Sequence, residues 1–279
     1  MIISRTPMRA SFFGGGSDLS GYYQNCSRGY GAVLSTAIDM YIYITVNKKF
    51  DDQIRVSYSK TEIVDRVDQI EHNIIREALK IAGIQKGIEI VYMGDVPLGS
   101  AGVGLVSSSA LAVGVLNALF AYQGRAVSAE FLAQKACEIE IDRLHNPIGK
   151  QDQYATAYGG FHHYRFNADE SVFVDPLICQ PQIKQELQKN LMFFYTNMTH
   201  ISSHILRKQK ENIPQKMKNL DCMVEMSYEA ERLLQKNALD DFGVLLDEAW
   251  RLKKQLASGI SDPRIEEMYT AAKNAGACW

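Results

Sequence analysis

Residues 149–160 read GKQDQYATAYGG, and they follow a predicted helix that carries Glu138, Glu140 and Asp142. A carboxylate on that helix can hold a metal ion while a carboxylate on the following segment, Asp152, accepts a proton from a hydroxyl group. Because the three acidic residues of the helix alternate, not all of them can face one site, and the others belong to a solvated helix face. The segment therefore indicates phosphoryl-transfer chemistry.

A glycine-rich loop lies upstream, where residues 97–109 read PLGSAGVGLVSSS between a predicted strand and an apolar helix. Backbone N–H groups of such a loop can approach an anion, and the N-terminus of the following helix adds its dipole. No Gly-Lys-Ser/Thr follows the glycines, which excludes the P-loop pattern. From these residues alone, a phosphate cradle and a glycine-rich turn capped by serine both stay open.

A third segment lies at the start of the chain, where residues 5–18 read RTPMRASFFGGGSD. An arginine such as Arg9 beside a carboxylate stabilises the ionised acid, and Asp18 on a glycine turn can accept hydrogen bonds from sugar hydroxyls. A tight turn capped by Asp18 would produce the same pattern. On its own this segment does not distinguish a sugar-binding site from a capped turn, and it supports a sugar-binding site only together with the other two segments.

Composition and charge narrow the class of protein. The chain has 279 residues, 46% hydrophobic and 22% charged, and its 30 Lys+Arg against 32 Asp+Glu give a net charge of -2. Such a balance provides no general basic field for nucleic acid or an anionic membrane. The five cysteines are scattered and lack CxxC spacing, which is typical of reduced thiols. With no signal-peptide pattern and no apolar stretch long enough to span a bilayer, we expect a cytoplasmic protein.

Periodicity predicts an α+β N-terminal half and a helix-rich C-terminal half. The predicted strands cover residues 31–46, 53–59, 87–92, 161–166, 171–177 and 190–196. The predicted helices cover residues 68–82, a segment from the serine cluster at 107–109 to 122, and residues 128–144. Further helices are predicted within 201–235 and over 238–258 and 263–275. Pro176 and Pro181 mark the predicted boundary between the halves.

Taken together and in this order, the three segments resemble the GHMP kinases, the superfamily of galactokinase, homoserine kinase, mevalonate kinase and phosphomevalonate kinase. The resemblance covers essentially the whole chain. It implies a two-domain fold, with a ribosomal protein S5 domain 2-like ATP-binding domain over residues 1–176 and a helix-rich, ferredoxin-like domain over residues 177–279. Because the family's last glycine-rich motif does not follow Ala275-Gly276-Ala277, the resemblance also predicts a truncated C-terminal domain.

The resemblance implies a role for each matching residue, with ATP and Mg²⁺ as cofactors. Asp152 would be the catalytic base and Arg9 its electrostatic partner, while Lys150 would meet the substrate or its charge. Ser108 and Glu140 would hold Mg²⁺. The nucleotide-binding set would comprise Pro97, Gly99, Ser100, Gly102, Gly104, Ser107, Ser108 and Ser109. The acceptor-binding set would comprise Gly15, Gly16, Ser17, Asp18 and Gln151.

Within the family, the segments are most similar to the D-glycero-D-manno-heptose 7-phosphate kinases of bacterial surface-polysaccharide pathways. That likeness implies transfer of the γ-phosphoryl group of ATP to the anomeric C1 hydroxyl, giving the 1,7-bisphosphate. The nucleotide loop departs from the family pattern, since it is longer and Val106 replaces its last glycine. This departure and the missing last motif leave an inactive truncated member open. A kinase for fucose or galactose also stays open, because the motifs fix no residue that reads sugar hydroxyls other than Asp18, and so does a homodimer.

Overall fold

The computed structural model describes residues 1–96, 107–194, 196 and 202–278, and within them strands and helices are interspersed up to residue 176, with helices thereafter. The α+β class predicted from the sequence is confirmed. The strands are β1 (Ile2–Phe13), β2 (Tyr30–Lys48), β3 (Ile54–Ser57), β4 (Thr61–Val64), β5 (Ile88–Gly94), β6 (Phe161–Asn167) and β7 (Val172–Pro176). The helices are α1 (Ser20–Tyr23), α2 (Asn73–Ala82), α3 (Ser107–Tyr122), α4 (Ala129–Cys137), α5 (Gln151–Tyr158), α6 (Pro181–Asn190), α7 (Ser202–Gln235), α8 (Leu239–Lys254) and α9 (Pro263–Asn274).

The chain divides into two compact units, each of which is discontinuous in sequence. The first unit comprises Met1–Ala10 and Ala37–Gly160, and the second comprises Ser11–Thr36 and Phe161–Trp279. The family domain bounds, 1–176 and 177–279, rest on the motifs and stay a prediction.

The first unit is built on the strand order β4-β3-β5-β2. Strands β2 and β5 are antiparallel, with Ile44 opposite Tyr92, whereas β3 and β5 are parallel. One face of β2 and β5 is apolar and buried, and α2, α3 and α4 contribute to the same hydrophobic core. Helix α3 is apolar on nearly every face, which is why it is buried along most of its length.

The second unit pairs the first part of β2 with β6, and β6 with β7, both antiparallel. Its core contains Phe13 and Leu34 together with apolar residues of α6, α7 and α8. The rings of Phe13 and Phe242 meet edge to face at 5.2 Å, an arrangement that aromatic pairs prefer.

Helix α4 runs directly into a π-helical turn, Glu138–Arg143. The N–H of Leu144 donates to the carbonyl oxygen of Ile139, five residues earlier, at 3.0 Å. Ile139 is in the core and Leu144 packs against it. In an α-helix, residues three or four apart lie on one face. Ile139 and Leu144 are five apart, and the wider π-helical turn allows both side chains to reach the core. The predicted helix over 128–144 is thus two consecutive helical segments.

Two elements differ from the sequence predictions. The helix predicted over 68–82 begins later, at Asn73, after a 3-10 turn at Val67–Gln69, and ends at Gly83 in the left-handed conformation as predicted. The strand predicted over 190–196 is wrong for its described part, because Asn190 ends α6 and residues 191–194 join no strand. Their apolar composition favours a strand only where a neighbouring strand offers a partner.

Strands β1 and β4 and helices α1, α5 and α6 were not among the predicted elements. None of the helices in the described ranges is long and apolar enough to span a bilayer.

Candidate active site

The first unit brings Arg9 of β1 against Asp152 of α5. The Nε and Nη2 atoms of Arg9 both donate to Oδ1 of Asp152, at 2.9 and 2.7 Å. Both side chains are partly buried, with exposed fractions of 17% and 28%. Asp152 lies in the first turn of α5, where a carboxylate is favoured by the helix dipole. The Asp152 carboxylate is thus fixed in position and still partly accessible, as a general base must be.

Glu140 lies in the π-helical turn and is fully buried. Its Oε2 accepts hydrogen bonds from Oγ of Ser109, at 2.6 Å, and from Nε2 of Gln153, at 2.7 Å. Burial raises the pKa of Glu140 above its ordinary value, and the negative charge of Asp152 also raises it, while hydrogen bonds from Ser109, Ser108 and Gln153 oppose the rise. A buried carboxylate of this kind is stabilised further by a cation.

The donor set around Glu140 fits a magnesium ion bound together with phosphate groups. Among the described residues, Oε1 of Glu140 is buried without a hydrogen-bond partner, and so is Oε1 of Gln153. Mg²⁺ prefers oxygen ligands, takes one or two carboxylates from the protein and completes its shell with phosphate oxygens and water. Within the described ranges no group of three or more His, Cys, Asp or Glu side chains could hold a metal ion, so a site here depends on such additional oxygens.

Helix α3 begins at Ser107 and places its first serines beside this carboxylate. Ser109 is buried, whereas Ser108 is exposed. The N-terminus of a 16-residue helix carries free N–H groups and a positive dipole, which suit an anion. The other predicted nucleotide-binding residues, Pro97, Gly99, Ser100, Gly102 and Gly104, lie outside the described residues, as does Val106, and the side chain of Ser107 is not described.

Lys150 and Gln151 flank the start of α5. Lys150 is the residue immediately before the helix and is half-buried, while Gln151 is the first helical residue and is buried. Their predicted roles toward the acceptor stay predictions.

The glycine turn of residues 14–18 belongs to the second unit. The N–H of Ser17 donates to Gly14 O at 3.0 Å, and Oδ1 of Asp18 accepts from the N–H of Gly16 at 2.9 Å. Ser17 is fully buried, and its hydroxyl exchanges hydrogen bonds with the backbone of Ala32. Asp18 therefore caps the turn, and the side chain of Ser17 anchors it. A sugar would have to be bound by atoms of the turn that these hydrogen bonds do not use.

Two residues of the C-terminal helices support the same turn. Nζ of Lys253 donates to the carbonyl oxygen of Gly15 at 2.8 Å. The buried side chain of Gln209 lies so close to Gly16 that a Cβ there would meet its Nε2 at 2.2 Å. Gly16 has a φ of +109°, which also favours glycine.

The remaining acidic residues of the helix are on its solvated side, as the alternation predicted. Glu138 pairs with Lys135 and Arg143, and Asp142 is exposed. Sequence reasoning missed Gln153, Lys253 and Gln209. Gln153 could have been identified from the sequence, because it follows Asp152 within the same motif. Lys253 and Gln209 lie far along the chain, and their positions in the sequence do not indicate a contact with the glycine turn.

Comparisons with known proteins identify related kinases. Residues 70–160 match the family model of the GHMP kinases N terminal domain. The chain is 30% identical to the D-glycero-alpha-D-manno-heptose 7-phosphate kinase of Campylobacter jejuni over 294 aligned positions, which cover 99% of this chain and 84% of that protein.

Two solved structures share the fold. A D-glycero-D-manno-heptose 1-phosphate kinase from Bacteroides thetaiotaomicron superposes with a TM-score of 0.79 at 24% identity, over 100% of this chain and 84% of that one. The phosphomevalonate kinase of Streptococcus pneumoniae, solved with phosphomevalonate and AMPPNP, gives 0.76 at 16% identity, over 98% and 86%.

A carboxylate fixed by an arginine, near a buried carboxylate at a helix N-terminus, is suited to moving a phosphoryl group onto a hydroxyl. The class is therefore that of phosphotransferases with an alcohol acceptor. Within that class the chain belongs to the GHMP kinases, and it is a sugar kinase of the GHMP type.

Proposed function

We propose that this chain transfers the γ-phosphoryl group of ATP to the anomeric C1 hydroxyl of D-glycero-D-manno-heptose 7-phosphate. The observation that carries the chemistry is the Arg9–Asp152 pair, and the named relative at 30% identity supports the acceptor. A small sugar phosphate is the partner, and the product is the 1,7-bisphosphate.

Asp152 acts first on the acceptor hydroxyl. Its carboxylate takes the hydroxyl proton as the oxygen forms a bond to the γ-phosphorus and the bond between that phosphorus and the bridging oxygen of ADP breaks. Arg9 holds the carboxylate through Oδ1 and places a permanent positive charge beside the transferring group. The protein supplies positioning and charge stabilisation rather than a covalent intermediate.

Glu140 and Ser108 are the residues proposed to hold Mg²⁺, with Ser109 fixing the carboxylate. The ion would neutralise charge on the β- and γ-phosphate oxygens. The N-terminus of α3 contributes N–H groups to the same phosphates. The AMPPNP bound to the phosphomevalonate kinase that shares this fold supports an adenine nucleotide as phosphoryl donor.

The experiment is ³¹P NMR of the folded chain with Mg-ATP and, in separate samples, heptose 7-phosphate, fucose and galactose. We expect a new anomeric phosphate signal with heptose 7-phosphate that is absent from the Asp152→Asn variant. A signal with fucose or galactose instead would keep the kinase chemistry and overturn the acceptor. No signal with any of the three, from a chain whose circular dichroism shows native helix content, would overturn the proposal.

A further inference from the structure

We infer that Gln153 is a positioning residue that sets the direction in which the Glu140 carboxylate faces, so that Oε1 of Glu140 is the oxygen presented to the cation. This inference rests on the proposed function, because it deepens the role given there to Glu140. Gln153 is fully buried on α5, one residue after Asp152, and its amide reaches Oε2 of Glu140 at 2.7 Å.

The two oxygens of Glu140 have different surroundings. Oε2 accepts the amide N–H of Gln153 and the hydroxyl of Ser109. Oε1 is equally buried and lacks a hydrogen-bond partner among the described residues. Two donors on one oxygen fix the plane of the carboxylate, and the other oxygen keeps its lone pairs for a ligand that the protein does not itself provide.

The orientation of the Gln153 amide follows from the same contact. Because Nε2 of Gln153 donates to Oε2 of Glu140, the carbonyl oxygen of the amide faces away from that oxygen. That carbonyl oxygen, Oε1 of Gln153, is the second buried acceptor without a described partner. Two unpaired acceptors on neighbouring buried side chains call for a donor or a cation, since an acceptor buried without a partner is costly.

Gln153 also couples the two acidic groups of the site. Asp152 and Gln153 are consecutive on α5, so the base and the residue that orients Glu140 move with one helix. Outer groups that fix a metal-binding carboxylate commonly change metal affinity by about 10- to 100-fold when removed. The amide of Gln153 is therefore expected to act on cation affinity more than on nucleotide affinity.

The test uses Gln153→Met, which retains the length of the side chain without a donor, and Gln153→Leu, which replaces the amide with a branched apolar group. Thr156→Val is the matched control, because Thr156 is buried on the same helix and its hydroxyl bonds only the backbone carbonyls of Asp152 and Gln153 among its described contacts. Binding of Mn²⁺ to the complex of the full chain with AMPPNP is measured by electron paramagnetic resonance, and AMPPNP affinity is measured without metal.

We expect Mn²⁺ binding to weaken about tenfold in both Gln153→Met and Gln153→Leu, with metal-free AMPPNP affinity within about twofold of the parent. Thr156→Val should retain both affinities. Unchanged Mn²⁺ affinity in both folded Gln153 variants, with binding lost in Glu140→Gln, would overturn the role of Gln153 and leave the proposed function standing. Retained Mn²⁺ affinity in Glu140→Gln would instead overturn the metal assignment on which the inference rests.

Discussion

Both hydrogen bonds from Arg9 to Asp152 fall on the same carboxylate oxygen. Nε and Nη2 reach Oδ1 at 2.9 and 2.7 Å, and Oδ2 lies outside this contact. One oxygen therefore holds the side chain in place while the other can approach an acceptor hydroxyl. The proposed roles of Arg9 in orienting the carboxylate and of Asp152 in accepting the proton can therefore be tested by different substitutions.

Asp152→Asn should abolish phosphoryl transfer while leaving nucleotide binding nearly intact. The amide has almost the same shape, but it cannot accept the hydroxyl proton, and loss of a general base costs about 10²- to 10⁴-fold in rate. Turnover is measured by a coupled ADP assay and nucleotide binding by calorimetry. Turnover within tenfold of the parent would remove Asp152 from the role of base.

Arg9→Lys should lower kcat more than it raises KM for the acceptor. Lysine retains the charge but lacks the planar fork that places two donors on Oδ1, so the carboxylate is held less firmly. Steady-state kinetics with varied acceptor separate the two parameters. A rise in KM with unchanged kcat would show that Arg9 binds the acceptor rather than orienting Asp152.

Arg143→Ala should weaken Mg²⁺ binding and so raise the Mg²⁺ requirement, because Arg143 connects the two ends of the π-helical turn that carries Glu140. It pairs with Glu138, five residues earlier, at 2.6 Å, and with Glu77 of α2 at 3.2 Å. The contribution of such exposed pairs is up to about 1 kcal/mol, so we expect a roughly two- to fivefold higher Mg²⁺ requirement.

Lys135→Ala is the control for this variant, since Lys135 pairs with the same Glu138 from within α4 without crossing the turn. The Mg²⁺ requirement is obtained by titrating Mg²⁺ at fixed ATP. Equal shifts in both variants would show that the charge of Glu138, and not the geometry of the turn, matters.

Gly14→Ala should destabilise the protein far more than Gly29→Ala. Both glycines have positive φ, +82° and +70°. A Cβ at Gly14 would lie 1.9 Å from the carbonyl oxygen of Ala32, whereas a Cβ at Gly29 would meet nothing within 4 Å. Gly29→Ala should therefore cost only the backbone strain, about 1–2 kcal/mol. Urea denaturation compares them, and equal losses would contradict the close approach at Gly14.

His163 should make the protein less stable as the pH falls from 7 to 5. Burial lowers its pKa from 6.5 to about 4, with Asp175 raising it and Arg165 lowering it. Its Nε2 lies 3.0 Å from the hydroxyl of Ser227, which itself donates to Val224 O. The neutral ring therefore donates from Nε2.

Between pH 7 and 5 the unfolded chain binds a proton at His163 and the folded chain does not, so stability falls on acidification, by about 2 kcal/mol from this group. In His163→Gln, which keeps a neutral donor, this part of the decline should disappear. The measurement is the urea midpoint of each protein at pH 7 and 5. An identical decline in both proteins would exclude His163 as its source.

The motifs singled out residues that the structure brings together, whereas several of the elements that carry them were not predicted. Arg9, Asp152 and Glu140 were identified by their motifs, but their spacing along the chain contains no information on which atoms meet. Strand β1 was missed because its polar residues and Pro7 do not read as a strand, although its pairing with β2 supports it. Residues 191–194 were predicted as a strand because propensity does not show whether a partner strand is present.

Gln153 was missed for a different reason. Its importance depends on Glu140 facing it, and that orientation depends on the π-helical turn, which follows from the spacing of Ile139 and Leu144 rather than from any single residue. Side-chain pattern predicts a helix there, and the change in turn type becomes visible only in the hydrogen bonds.

The π-helical turn also bears on how this gene can tolerate insertions and deletions. A turn with one residue too many is relieved by the loss of a single codon between Glu138 and Arg143, which would restore regular α-helical hydrogen bonding. Such a deletion would shift the register of every later residue in the segment and displace Glu140 or its neighbours. The resulting protein would gain thermal stability and lose its kinase activity. Selection for stability alone would therefore favour this deletion, whereas selection for activity would remove it.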